Sequence, residues 1–222
     1  MSRIRLNRGF IVLAALATLV VGAALYARAL DGRAGHPRRE GSTPVRVVDR
    51  SSSAAKRLVA AAESQIGKTV RYDATYVPIK YPGGDVPIDR GVCTDVVVRA
   101  FRTMGVDLQV KIHRDMVKAF DRYPHRWSLR APDTNIDHRR VPNMQVYFTR
   151  IGKSLPITRR GQDYQPGDIV TWSVRGRPHT GIVTRTVAED GTHFCIVHNF
   201  GRGTQIEDIL FRYPITGHYR YF

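Results

Sequence analysis

Residues 91–105 read GVCTDVVVRAFRTMG. Val92, Val96, Val97, Ala100, Phe101 and Met104 recur at three- and four-residue intervals, which predicts a helix with one apolar face and Cys93 in its first turn. A helix start offers unpaired N–H groups and the positive end of the macrodipole. Both stabilise a thiolate, so this position predicts a nucleophilic cysteine with a lowered pKa.

Further along, residues 166–186 read PGDIVTWSVRGRPHTGIVTRT, a strand, a short turn and a second strand that opens near His179. A histidine at that point is a candidate base for Cys93. Short β-prone runs follow at Phe194 to Asn199, Ile206 to Phe211 and Ile215 to Phe222. Upstream, the residues before Gly67 carry Ala54, Ala55, Leu58, Val59, Ala62 and Ile66 at helical spacing. Further helices are predicted from Ile112 to Tyr123 and from Val141 to Ile151. Helices first and strands second predict an α+β domain, its amino-terminal helices packed on an antiparallel β-sheet.

The third member of the site is read from hairpin geometry. A two-residue Asp190-Gly191 turn pairs Glu189 with Thr192 and sets His198 opposite Val183. Side chains alternate along a strand, so His198 then shares the face of His179 and Asn199 points the other way. His198 is the preferred orienting group and Asn199 the alternative, because a one-residue change in the loop exchanges them. Cys195 alternates with His198 and reads as a small core residue. A structural bridge between Cys93 and Cys195, the two cysteines of the chain, is the competing reading.

The amino terminus sets the compartment. Arg3, Arg5 and Arg8 precede an uncharged apolar run from Phe10 to Ala27, so residues 1–29 are expected to be a signal peptide or a membrane anchor. Residues 30–50, rich in Gly, Pro, Arg and Ser, are expected to be a linker, leaving 51–222 as one domain. That domain is then exported, periplasmic or extracellular, and anchored to the inner membrane if the leader is retained.

The chain has a net charge of +16, with 35 Lys and Arg against 19 Asp and Glu. Only nine of the former and three of the latter precede Ser51, so the domain itself is strongly basic. An anionic envelope polymer, peptidoglycan foremost, is the expected partner. Nucleic acid is set aside, since zinc-finger spacing, RNP-like aromatics and a helix-turn-helix are all missing. No HExxH or paired CxxC occurs, and no metal or other cofactor is expected. Arg139 and Arg140 in NIDHRRVPN could grip a substrate anion through their planar forks, or fix their loop by salt bridges.

Taken together, GVCTDVV at a helix start, PGDIVTW and PHTGIV resemble the NlpC-type branch of the papain-like cysteine peptidases and amidases. More narrowly, YPGGDVPIDRGVCTDVV, NIDHRRVPN and GTQIEDILFRYPITGHYRY resemble the YijF-like family of exported bacterial domains of unknown function. The resemblance implies a papain-like fold and a cysteine hydrolase acting on stem peptides of the cell wall. Cys93 would be the nucleophile, His179 the base and His198 the orienter. It also implies a cleft tyrosine upstream of the cysteine, which matches Tyr81, with Tyr72 competing. The sequence departs from the NlpC pattern in having Val92 before the cysteine and Thr94-Asp95 after it. Two other readings stay open: a non-enzymatic module that binds an anionic glycan or lipid, and a thiol acyltransferase or esterase acting on lipid.

Overall fold

The computed structural model describes residues 46–125 and 130–222. The leader expected over 1–29 and nearly all of the linker lie outside the described residues. The linker's last five residues do not behave as one. Val47 N–H donates to Gly191 O, Arg50 N–H to Gln165 Oε1, and Asp49 pairs with Arg185, so the domain begins before Ser51. None of the helices among the described residues is long and apolar enough to cross a membrane.

Four α-helices come first: α1 (Ser53–Glu63), α2 (Cys93–Thr103), α3 (Leu108–Lys118) and α4 (Val141–Arg150). Ser52 Oγ caps α1 by accepting from Ala55 N–H, and the helix buries Ala55, Leu58, Val59 and Ala62. It stops short of Gly67 because Gln65 turns inward to donate to Val96 O, which leaves Ile66 exposed. Helix α3 starts four residues before Ile112, where Asp107 supplies the cap to Gln109 N–H, and it ends at Lys118. Helix α4 begins as expected, with Pro142 in its first turn.

The strands β1 (Arg71–Tyr72) and β2 (Arg90–Gly91) form a short parallel pair that delivers the chain to α2. The main sheet holds β3 (Ile169–Val174), β4 (Arg177–Val187), β5 (Phe194–Asn199), β6 (Thr204–Glu207) and β7 (Ile215–Tyr219), in the order β6-β5-β4-β3-β7 with antiparallel neighbours. Both of its faces are buried. Ile169, Ile182, Val197 and Tyr219 pack under the helices against Val96, Phe101, Ile112 and Phe148. Val170, Trp172, Val183, Phe194 and Ile196 form a second core with Tyr164, Ile209 and Leu210.

The β4–β5 connection differs from the expected two-residue turn. Ala188 N–H donates to His193 O and Gly191 N–H to Ala188 O, so four residues, Glu189 to Thr192, form the loop. Val187 pairs with Phe194, but the register shifts before Val183, which pairs with Ile196. His198 therefore stands across from Gly181, not Val183. A shift of two residues preserves the facing of every side chain, so His198 still shares the face of His179.

Asp168, in the Pro-Gly-Asp entry to β3, is fully buried and fastens the far edge of the sheet. It accepts from His218 Nε2 at 2.8 Å, from Gln165 N–H at 2.8 Å, and from Arg220 Nε and Nη2 at 2.6 and 2.7 Å. Replacing it with Ala removes the carboxylate partner of His218 and Arg220 at the β7 edge and leaves them only Pro156 O and Asp163 O. Asp168→Ala is expected to lose about 3 kcal/mol of stability in chemical denaturation, a loss typical of a broken buried pair. A change under 1 kcal/mol, about what a surface pair contributes, would refute this role.

Candidate functional site

Cys93 is the first residue of α2 and is 3% exposed. The N-cap before it is Val92, whose side chain cannot accept from the helix's first amides. Instead, Asp95 at the third helical position reaches back to accept from Val92 N–H at 2.7 Å. The N–H groups of Cys93 and Thr94 remain directed at the Cys93 sulfur, joined by the N–H of Thr180 from β4. An apolar residue at a position that normally favours a polar cap thus leaves donors for a sulfur or an oxyanion.

Asp95 is held by Arg139 through two hydrogen bonds, Nε to Oδ1 and Nη2 to Oδ2, both 3.0 Å, with both side chains buried. Arg139 also donates to Thr75 O and Asp73 O, and its own carbonyl accepts from Thr94 Oγ1 at 2.9 Å. The guanidinium is consumed by these partners. Arg139 therefore fixes the cysteine helix and does not grip a substrate anion. Arg140 lines the cavity in front of Cys93, and burial lowers its pKa.

On the sheet, His179 Nε2 lies 2.9 Å from His198 Nδ1. His198 Nε2 lies 2.9 Å from Glu207 Oε2 on β6, two residues beyond its cross-strand partner Gln205, close enough for an ion pair but not aligned as a hydrogen bond. Trp172 and Phe200 flank the His179 ring at 6.1 and 5.2 Å between centroids. With Nε2 occupied, Nδ1 is the His179 nitrogen left for sulfur. Among the described residues no hydrogen bond joins Cys93 to His179; what brings the two together is the Thr180 amide, next to His179 in the chain.

Asn199 turns the other way. Its Nδ2 donates to Gly91 O at 2.8 Å and to Arg71 O at 3.2 Å, which ties β5 to the strand that precedes Cys93. Gly181 keeps the pair in register, since a Cβ there would come within 3.0 Å of His198 Cβ and 2.5 Å of Ile196 Cγ2.

Two cavities meet at this point. One, of about 340 Å³, is lined by Cys93, Tyr72, Val92, Ile136, Val141 and Pro142. The other, of about 550 Å³, is lined by His179, Phe200, Arg175 and Arg177, and the two share Tyr72 and Pro178. Tyr72 therefore lies between the two cavities, with Tyr76 also lining the Cys93 one. Tyr81 lines neither cavity and packs edge-on against His113, 5.3 Å between centroids. Cys93 and Cys195 are both free thiols, and Cys195 sits on the face opposite His198. Glu207 has no motif of its own; its only sequence signal is strand alternation from His198.

Burial decides the ionisation state. It pushes the Cys93 thiol up to about 12, against the amides that favour the thiolate and with help from the nearby Asp95 charge. The lowered pKa expected from the helix start is thus overturned by desolvation. Burial also lowers His179 to about 3, with a further contribution from His198, and lowers His198 and His138 to about 4. The pair rests as neutral thiol and neutral imidazole. Proton transfer within it creates both charges at once, and their attraction in a low-dielectric site offsets much of the burial cost.

Residues 59–221 match the family described as a domain of unknown function, DUF1287. The chain belongs to this family. It is 47% identical over 188 residues to the uncharacterized protein YijF of Escherichia coli (strain K12), covering 84% of this chain and 91% of that protein. Among solved structures it is similar to NlpC1 from Trichomonas vaginalis, with a TM-score of 0.43 and 14% identity over 79% of this chain. The chain spans 46% of that structure's length.

Two outcomes follow from the geometry. Arg139→Ala alone strands the buried Asp95 charge and is expected to cost about 3–5 kcal/mol, whereas Asp95→Ala with Arg139→Ala should cost clearly less than the sum of the single changes. Additive losses in denaturant melts would show that the two side chains are not coupled.

The three buried histidines bind protons more weakly folded than unfolded, so the stability they contribute is present above about pH 6.5 and is lost as pH falls towards 3. Calorimetry near pH 5 in buffers of different ionisation enthalpy should find about three protons taken up on unfolding through these groups, and about one fewer in His198→Gln. Equal uptake in wild type and variant would contradict the burial assigned to His198.

Proposed function

We propose that this domain is an exported, papain-like cysteine hydrolase that cleaves an amide bond in peptidoglycan stem peptides. The observation carrying this reading is a cysteine sulfur at a helix start with backbone amides aimed at it, beside a His179–His198 pair backed by Glu207. The basic charge of the domain and the apolar run near the amino terminus support an envelope substrate.

In this mechanism His179 takes the Cys93 proton as the sulfur attacks the carbonyl carbon. The oxyanion is held by the Cys93 N–H. His179 then gives that proton to the departing amine, the C–N bond breaks, and an acyl-enzyme remains. Water, deprotonated by His179, releases the acid and restores the thiol. His198 holds the imidazole in orientation, and Glu207 steadies the positive charge that appears during transfer. Arg140 lines the Cys93 cavity, where the acyl half of the substrate would lie.

The basic surface also favours a second reading, a module that binds an anionic glycan or lipid without cleaving it. A cleft that transfers the acyl group to or from a lipid is a variant of the first chemistry. Incubation of the full chain with defined muropeptides, read by mass spectrometry, separates them. Hydrolysis should give two fragments whose masses sum to substrate plus one water. Cys93→Ala should abolish cleavage, and His179→Ala should lower kcat by about 10²–10⁴, the usual share of general acid–base catalysis. His198→Ala should cost less and Glu207→Gln less again, while Asn199→Ala should act on stability before rate. Muropeptides that bind but stay intact at every pH tested would sink the hydrolase and leave the binding module.

A further inference from the structure

The chemistry above fixes the direction of the substrate, and the following inference rests on that reading. His179 must protonate the leaving amine, so the leaving half has to cross His179 while the acyl half lies over Cys93. The Cys93 cavity is walled by Val92, Ile136, Val141 and Pro142 together with two arginines, Arg140 and Arg139, the latter bound to Asp95. The arginines on the His179 side are exposed. Arg175 and Arg177 line the cavity next to His179, and Arg175, Arg202 and Arg212 line a further one of about 340 Å³ that reaches His179, His198 and Glu207.

Arg175, Arg177 and Arg202 are exposed and their side chains form no hydrogen bond or ion pair among the described residues, in contrast to those of Arg139, Arg150 and Arg220. Arg212 lies 5.7 Å over its neighbour Tyr213. Backbone conformation singles out Arg175. It occupies the first position of the two-residue β3–β4 turn, closed by Val174 and Arg177, with φ of 50°, followed by Gly176 at 79°. Positive φ at both turn positions calls for Asn-Gly or Gly-Gly. A long arginine there is held against local preference, since a side chain with a Cβ disfavours this region. Its guanidinium forms no hydrogen bond or ion pair among the described residues that would offset the cost, and the residue lines both cavities beside His179.

We infer that Arg175, Arg177 and Arg202 form a carboxylate-binding rim for the leaving half of the substrate. The ligand class is a peptide whose amino acid on the amine side of the scissile bond carries free carboxylates. Planar forks with no internal partner suit such groups.

The test measures binding, so it does not depend on turnover. Full chain carrying Cys93→Ala is titrated with the stem tetrapeptide L-Ala–γ-D-Glu–diaminopimelate–D-Ala and with two partners, one amidated on the carboxylates of the diaminopimelate half, the other on that of the Glu half. Amidating the diaminopimelate half should weaken binding about tenfold or more, as expected for losing charge-assisted hydrogen bonds. Arg175→Asn with Arg177→Gln and Arg202→Gln should erase that difference.

Arg175→Asn alone should lower affinity while leaving the melting temperature unchanged or raised, because Asn suits the turn better. A merely structural arginine predicts the reverse. Equal affinity for all three peptides, discrimination only on the Glu half, or discrimination that survives the triple variant would overturn the rim. Cleavage by the wild-type chain with no such preference overturns the rim and spares the hydrolase. Discrimination without any cleavage does the opposite.

Discussion

The Asp95–Arg139 pair is the constraint on which the site depends. Asp95 closes the first turn of α2 by accepting from Val92 N–H, and Arg139 clamps both carboxylate oxygens. Through its other donors Arg139 reaches Asp73 O and Thr75 O in the segment that carries Tyr72, while its carbonyl holds Thr94. One guanidinium therefore fixes the cysteine helix, the strand of Tyr72 and the turn before α4 relative to one another. A close approach at Gly91 enforces the same geometry, since a Cβ there would lie 2.8 Å from Asp95 Oδ2. A carboxylate two residues from a nucleophilic sulfur would oppose thiolate formation if its charge were unbalanced. Arg139 lies against both carboxylate oxygens, yet the Asp95 charge still adds to the upward shift of the Cys93 thiol, so the structural pair also bears on the electrostatics of the sulfur.

Most of the scaffold was legible because apolar patterning is dense where both sheet faces are buried. The limits of β3 and β5 agree with the periodicity to the residue, and Cys93 lies in the first turn of α2 as expected. Helix limits failed where a side chain overrode the pattern: Gln65 ended α1 early, and the Asp107 cap drew α3 four residues forward. The hairpin is the instructive case. Its loop is longer than expected and its register slips, yet the facing of His198 survives because the slip is by two residues.

The site was legible in its residue types and less so in their partners. His179 and His198 pair across β4 and β5, and Cys93 lies against the Thr180 amide beside them, but burial reversed the expected thiol pKa because desolvation outweighs three amide donors. Tyr81 and Tyr72 both precede the cysteine at plausible distances, and only the β1–β2 pairing decides which reaches the cleft. Arg139 and the arginines at 175, 177 and 202 look alike in sequence; what separates them is whether a buried carboxylate waits beside them. Strand alternation pointed towards Glu207, but only once the β5–β6 register was known.

That alternation also separates His198 from Asn199. Adjacent residues on β5 face opposite sides of the sheet. His198 goes to the His179 side and meets its ring at 2.9 Å. Asn199 goes to the other and binds Gly91 O, two residues before Cys93. Two adjacent strand positions thus reach His179 and the strand before Cys93, and a backbone shift at the end of β5 would move both contacts together. A site built on loops alone would lack this coupling. Here it makes the Cys93–His179 separation a property of sheet register, which packing on both faces holds fixed.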